Sequence, residues 1–136
     1  MAELGESGNP ADLISGDPRA IAENVVAIRG RGSSMLTAAD ALAKIDTFAW
    51  TGPAAERFRE KFSYEPARWR KAGDAFDVAA AALEGYADTL RWAQGQAAEA
   101  IRLWDAGEQA THAARSEHEL NTRAAEQANQ QNAANG

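Results

Sequence analysis

The feature that most constrains the fold is a row of mostly large apolar residues at strict seven-residue intervals. The row consists of Trp69, Phe76, Leu83, Leu90, Ala97 and Trp104. A second row follows three residues later and is mainly alanine: Ala72, Ala79, Tyr86, Ala93 and Ala100. Two apolar positions in every seven form the a/d pattern of packed α-helices. The pattern therefore predicts one long helix over about residues 67–114, with a seam that faces another helix.

An earlier segment also has helical periodicity. Asp17 can cap the first turn of a helix, and Pro18 suits the first helical position. Apolar residues then recur at helical spacing: Ile21, Val25, Ile28, Met35, Ala39, Leu42 and Ile45. Gly30 and Gly32 weaken the middle of this segment, each by about 1 kcal/mol relative to alanine. We expect a first helix over about residues 18–48.

A turn at Trp50-Thr51-Gly52-Pro53 separates the two helices. Glycine can adopt the positive φ that other residues avoid, and Pro53 can begin the next helix. A short helix with Phe58 and Phe62 on one face should follow, and Pro66 should interrupt it because proline lacks an N–H group. The expected fold is all-α: an antiparallel, coiled-coil-like helical hairpin whose long second arm is interrupted near Pro66.

Composition and charge argue against several classes of function. A net charge of −6 disfavours binding to nucleic acid or to an anionic membrane surface. The first residues lack the basic and apolar regions of a signal peptide, and no apolar run is long enough for stable membrane insertion. His112 and His118 are six residues apart and point to different sides of a helix, so we predict no metal site and no cofactor. Nothing resembles a catalytic acid–base pair, which predicts a non-enzymatic protein.

The two ends of the chain differ in composition from the helical centre. Residues 1–16 contain Gly5, Gly8, Pro10 and Gly16, which predicts a flexible lead-in. Residues 116–136 are rich in Asn and Gln, which predicts a fraying helix that passes into a linker. The hairpin should therefore occupy residues 17–115, and we expect a C-terminal passenger to follow the linker.

The turn and its flanking helices resemble the Trp-Xaa-Gly (WXG) superfamily of helical hairpins. More closely, the stretch from Gly16 to about Arg115 resembles the N-terminal export domain of polymorphic toxins that actinobacteria secrete by type VII (ESX-like) systems. The likeness rests on Gly16-Asp17-Pro18, Trp50 to Ala55, Phe58, Pro66 to Trp69, Tyr86 to Leu90, Ala93-Gln94 and Ala100 to Trp104. It implies a secretion-targeting domain that meets the type VII export ATPase and carries a passenger, often a toxin, out of the cell.

The resemblance also suggests where an export signal should lie. Related proteins often carry Tyr-x-x-x-Asp/Glu after the hairpin, but here Leu90 follows Tyr86 at that spacing and Arg68 follows Tyr64. Trp104 and Glu108 place an aromatic ring and a carboxylate one helical turn apart, so they are the candidate degenerate signal. The alternative is that Trp104 only ends the seam. The Trp50 turn has the same two interpretations, a structural hairpin tip or a contact with the machinery.

The first helix is too short to cover the whole second seam. The part from Leu90 to Trp104 should therefore bind a partner, either a second copy of the chain or a small helical WXG-like protein. The candidate partner and seam residues are Trp69, Phe76, Leu83, Tyr86, Leu90 and Trp104. An architectural homodimer without an export role fits the same seam, and the sequence leaves that alternative open.

Overall fold

The computed structural model describes all 136 residues and contains four helices and no strand. The helices are α1 (Pro10–Leu13), α2 (Pro18–Ala43), α3 (Pro53–Phe62) and α4 (Glu65–Asn135). The chain forms two compact units, one from Gly16–Trp92 and one from Met1–Ser15 with Ala93–Gly136. Helix α4 contributes to both units. The expected all-α fold, a helical hairpin with a long second arm, is confirmed. None of the helices is long and apolar enough to span a membrane.

Helix α2 begins where the sequence predicts. The Asp17 carboxylate accepts hydrogen bonds from the backbone N–H groups of Arg19 and Ala20, at 2.9 and 3.1 Å. Pro18 occupies the first turn, where its missing N–H group costs nothing. This local chemistry fixes the start of the helix.

Helix α2 ends at Ala43, five residues before the predicted end. The backbone N–H group of Ile45 donates to the Leu42 carbonyl at 3.2 Å, which closes a three-residue turn that is tighter than an α-helical turn. Beyond it, the Asp46 carboxylate accepts the backbone N–H of Phe48 at 2.8 Å. Short polar side chains that bind nearby backbone groups compete with helix formation, which explains the early end.

Within the unit Gly16–Trp92, α2 runs antiparallel to the first part of α4. The Arg29 guanidinium binds Glu84 with a shortest distance of 2.7 Å, and Arg70 binds Asp40 at 2.7 Å. A later position on α2 thus pairs with an earlier position on α4, as the hairpin requires.

The packed face of α2 has two rows of seven-residue spacing. All members are buried or half-buried: Pro18, Val25, Gly32 and Ala39 in one row, and Ile21, Ile28, Met35 and Leu42 in the other. The sequence predicts most of this face but not Gly32. Because glycine has no side chain, hydropathy gave no reason to place it at the interface.

The packed face of α4 corrects one row of the predicted seam. Phe76, Leu83 and Leu90 are buried or half-buried, as expected. The second row lies one residue later than predicted: Gly73, Ala80 and Ala87 are buried, whereas Ala79 is exposed and Tyr86 is 56% exposed. Small residues flank the large row on both sides, so hydropathy alone fits either register.

The interruption near Pro66 is present. Helix α3 ends at Phe62 and α4 begins at Glu65, which places Pro66 inside the first turn of the second helix. The Ser63 hydroxyl donates to the Glu60 carbonyl at 2.7 Å at the end of α3. Proline therefore lies at the start of α4, because in the first turn of a helix its missing N–H group removes no hydrogen bond.

The other unit joins the first residues of the chain to the later part of α4. The Gln94 side chain donates to the Ile14 carbonyl at 2.9 Å, and the Ala2 N–H donates to the Asp12 carbonyl at 2.9 Å. The segment expected to be a flexible lead-in thus has a defined course and includes α1. The sequence predicts that the long helix ends near residue 114, whereas α4 continues to Asn135.

Candidate recognition site

The Trp50–Pro53 turn has the backbone geometry that its sequence predicts. Gly52 has φ 104° and ψ 173°, a region of backbone space that is essentially restricted to glycine. Its carbonyl accepts the Glu56 N–H at 3.1 Å, and Pro53 follows in the first turn of α3. Gly52 and Pro53 together set the direction in which α3 leaves the turn.

Trp50 lies at one end of a row of three aromatic rings. Its ring centroid is 5.5 Å from that of Phe58, with a tilt of 51°, and Phe58 stacks on Phe62 at 5.2 Å and 15°. Offset and tilted pairs at these distances are favourable. Trp50 nevertheless remains 46% exposed. Its ring therefore both closes the aromatic row and presents a surface to solvent.

Arg59 holds the loop that carries Trp50. Its Nε donates to Thr47 Oγ1 at 3.0 Å and its Nη2 donates to the Thr47 carbonyl at 2.7 Å. The same Nη2 also donates to the Trp50 carbonyl. Three charge-assisted hydrogen bonds from one guanidinium fix the backbone on both sides of Phe48.

The role of Arg59 does not follow from the sequence patterns described above. Arg59 lies four residues after Ala55 and three before Phe62. Ala55 is buried and Phe62 half-buried, so the three residues share the inward face of α3. An arginine on the inward face of α3 was therefore the one sequence feature that indicated a structural role for Arg59.

Trp104 and Glu108, the candidate degenerate export signal, lie on α4 in the second unit. A Cβ atom added to Gly5 would lie 2.9 Å from the indole of Trp104, so the first residues of the chain pack directly on this ring. Trp104 remains 44% exposed. Glu108 is exposed and forms no ion pair. The ring and the carboxylate are therefore both accessible from solvent.

A comparison with known families identifies the kind of domain to which these features belong. The family model described as "Putative T7SS secretion signal domain" matches residues 2–136, almost the whole chain. The chain belongs to this T7SS secretion signal domain family. No curated protein and no solved structure matches it. The signal domain therefore has a role in targeting to type VII secretion and in contact with the secretion machinery.

The part of the signal domain seam from Leu90 onward is largely covered by the chain itself. A Cβ atom on Gly16 would lie 2.7 Å from the Leu90 side chain, and Leu90 is 5% exposed. Ala97 and Ile101 are buried in the unit that contains Met1–Ser15. The expectation that this stretch is left uncovered is therefore wrong for Leu90 and Ala97, because the first residues lie on α4 rather than extending into solvent, whereas Trp104 stays 44% exposed.

Other large side chains of the signal domain remain exposed along α4. Trp69 and Tyr86, both predicted seam residues, are 40% and 56% exposed, and Trp92 and Leu103 are also exposed. Ala72, Ala75, Phe76 and Ala79 line a shallow apolar groove of about 290 Å³ in the unit Gly16–Trp92. Leu83 and Phe76 lie half-buried on the packed face, and Phe76 also forms one wall of this groove. The structure thus divides the predicted seam into residues that contact α2 and residues that face solvent.

Six ion pairs lie on the surface of the protein. Hydrogen bonds from Arg70 and Arg29 lower the pKa of Asp40 and Glu84, and Arg102 lowers the pKa of Glu99 in the same way. No group of three or more His, Cys, Asp or Glu side chains is arranged to hold a metal ion, and His112 and His118 are exposed. The ion pairs therefore stabilise the charged form of Asp40, Glu84 and Glu99.

Proposed function

We propose that this domain directs a C-terminal passenger, a toxin, through the type VII system, and that the export ATPase recognises the Trp50 turn. The observation that carries the proposal is the fixed presentation of Trp50. Arg59 holds the loop backbone, Phe58 supports one side of the indole, and the remaining surface of the ring faces solvent. A preorganised aromatic side chain is an effective binding anchor because little conformational entropy is lost when it is buried.

Trp104 and Glu108 form the second proposed recognition element. They are one helical turn apart on α4, and both are accessible. This arrangement supports a role as a degenerate version of the aromatic–acidic export signal. Residues 116–136 include no buried residue, which supports their proposed role as the segment that leads to the passenger.

A helical partner is the third part of the proposal. Trp69, Tyr86, Trp92 and Leu103 expose apolar surface along α4. A contiguous apolar patch on a protein surface marks a contact with another protein. Either a small WXG-like protein or a second copy of the chain would cover part of this surface, and the architectural homodimer without an export role depends on the same kind of contact.

The decisive experiment fuses residues 1–136 to a reporter and measures export from an actinobacterial host with and without its type VII ATPase. Trp50→Ala should abolish export while leaving the helical content unchanged. Phe48→Ala is the matched control, because Phe48 is in the same loop and is 83% exposed but has no ring contact. Trp104→Ala and Glu108→Ala test the second element. Export that does not depend on the ATPase would favour the architectural alternative.

Gly52→Ala separates folding of the turn from recognition. No atom lies within 4 Å of the added Cβ, so the substitution affects only the backbone geometry. Strain of this kind costs about 1–3 kcal/mol. If Gly52→Ala and Trp50→Ala both abolish export but only the first lowers the melting temperature, the indole itself is recognised. Equal losses of stability would instead make the turn a structural tip.

A further inference from the structure

The positive charge of the chain is concentrated near the turn. Residues 53–71 contain six basic and three acidic side chains, a net charge of +3. The whole chain has a net charge of −6, so the other residues sum to −9. The α3 segment and the start of α4 therefore form a cationic zone on an otherwise acidic protein.

Only half of these cations have a partner within the chain. Arg59 binds the Trp50 loop, Arg70 binds Asp40, and Arg68 binds Glu65 at 3.1 Å. The remaining three, Arg57, Lys61 and Lys71, form no ion pair. Lys61 lies in the last turn of α3, where a cation is favourable because of the helix dipole. Arg57 and Lys71 have no such structural role.

The unpaired cations border two open grooves with apolar side chains in their walls. One groove, of about 730 Å³, is lined by Glu60, Lys61, Tyr64, Glu65, Ala67, Arg68 and Lys71. The other, of about 320 Å³, is lined by Arg57, Phe58, Lys61, Phe62 and Glu65. Lys61 and Glu65 border both. Phe58 also contacts Trp50, so the second groove adjoins the aromatic row of the turn.

We infer that these two grooves bind an acidic polypeptide segment that carries an apolar anchor side chain. The anchor would pack against Phe58 or Tyr64, while its flanking carboxylates would meet Arg57, Lys61 and Lys71. Charge complementarity of this type determines orientation and association rate, and apolar anchors provide most of the affinity. The inference deepens the proposed function by stating the chemistry of the partner at the Trp50 end of the hairpin, and it rests on that function.

The same observations disfavour other occupants. A nucleic acid or an anionic bilayer would meet the acidic remainder of the chain, and three free cations beside Glu60 and Glu65 neutralise few phosphates. A second copy of the chain is also acidic overall, which makes it no better a match to the two grooves than another acidic protein. An acidic peptide with an apolar anchor matches both the charge and the groove walls.

The test uses the isotope-labelled full chain and a synthetic helical peptide of glutamates with one leucine and one phenylalanine on one face. Two further peptides have lysine in place of glutamate, or alanine in place of the two apolar residues. We expect amide shifts confined to about residues 47–71 with the first peptide only. Lys61→Glu/Lys71→Glu should weaken binding at least about tenfold. Arg115→Glu/Arg123→Glu, which reverses two exposed cations without ion pairs in the other unit, should weaken it far less.

Several outcomes would overturn the inference. Equal weakening by both double variants would mean that the peptide responds only to net charge. Equal binding of the lysine peptide would remove charge complementarity. Binding to phosphatidylglycerol vesicles, or self-association, that Lys61→Glu/Lys71→Glu abolishes would assign the groove to lipid or to a second copy.

Export of the same variant distinguishes the inference from the proposed function. If wild-type export needs the ATPase and Lys61→Glu/Lys71→Glu is exported normally, the inference alone fails. If the wild-type chain is not exported, the proposed function fails regardless of peptide binding. Loss of export together with loss of peptide binding supports both.

Discussion

Gly32 on α2 and Gly73 on α4 face each other at the point where the two helix backbones touch. A Cβ atom on Gly32 would lie 3.1 Å from the Gly73 carbonyl oxygen and 3.1 Å from Phe76 Cβ. A Cβ atom on Gly73 would lie 3.1 Å from the Gly32 carbonyl oxygen and 2.9 Å from the Leu36 side chain. Each glycine thus leaves room for the backbone of the other. Gly32 lowers the intrinsic helix propensity of α2 but is part of its interface with α4.

Alanine at either of these glycines should therefore destabilise the hairpin, although alanine has the higher helix propensity. We expect Gly32→Ala and Gly73→Ala to lower the free energy of unfolding by about 1–3 kcal/mol, because the added methyl group forces the backbones apart. Gly30→Ala and Gly85→Ala are matched controls, since their Cβ atoms meet nothing within 4 Å. The controls should gain about 0.5–1 kcal/mol. Urea unfolding measures all four, and a gain at Gly32 would contradict the close approach.

The register of α4 can be tested with two side chains on different faces. Leu90 is 5% exposed, so Leu90→Ala should cost about 2–5 kcal/mol through lost burial and a cavity. Tyr86→Ala should change the stability of the monomer by less than about 0.5 kcal/mol, because the ring faces solvent. Thermal and urea unfolding of dilute protein distinguish the two. A large loss for Tyr86→Ala would support the register that the sequence predicts.

Features that depend on local chemistry could be predicted from the sequence. The Asp17 cap, the Gly52 turn and the break near Pro66 each follow from the conformational preferences of one or two residues. The register of the second α4 row could not, because Ala79 and Ala80 are equivalent in hydropathy. Contacts between segments that are far apart in the sequence could not be predicted either, because local patterns contain no information about them.

In the candidate site, too, local features of the turn could be predicted from the sequence and contacts between separate segments could not. Trp50, Gly52 and Pro53 are recognisable from their spacing, and the structure places them in one turn. The bonds from Arg59 to Thr47 span twelve residues and join a helix to an irregular loop. No periodic pattern reports such a bond, so its only sequence signal was a cation on an apolar helix face.

Loss of the Arg59 guanidinium should loosen the Trp50 loop. Arg59→Gln removes hydrogen bonds to the Thr47 side chain and to the carbonyls of Thr47 and Trp50. We expect a loss of about 1–3 kcal/mol and faster amide exchange across residues 44–52. Arg57→Gln is the matched control on the same helix, because Arg57 has no hydrogen bond or ion pair. Equal exchange rates in the two variants would contradict the role assigned to Arg59.

Acid should weaken the hairpin through Asp40 and Glu84. Hydrogen bonds from Arg70 and Arg29 lower their pKa below the ordinary values of 3.8 and 4.5. A carboxyl with a lower pKa in the folded state stabilises that state above its unfolded pKa, and the effect is lost as the pH falls through the folded pKa. The loss should therefore occur below about pH 4.5. In Asp40→Asn/Glu84→Gln, urea midpoints at pH 7 and pH 3 should differ less than in wild type.

Contact between Gly5 and Trp104 predicts that the first residues of the chain control exposure of the candidate signal ring. A Cβ atom at Gly5 would lie 2.9 Å from the Trp104 indole, so Gly5→Val should displace the segment Met1–Ser15 from this part of α4. Gly8→Val is the matched control, because no atom lies within 4 Å of its Cβ. In Gly5→Val we expect a shifted indole N–H resonance for Trp104 and faster exchange of the Ala2 amide, which otherwise donates to Asp12. If both variants retain the wild-type resonance, the first residues do not shield Trp104, and its exposure is set by α4 alone.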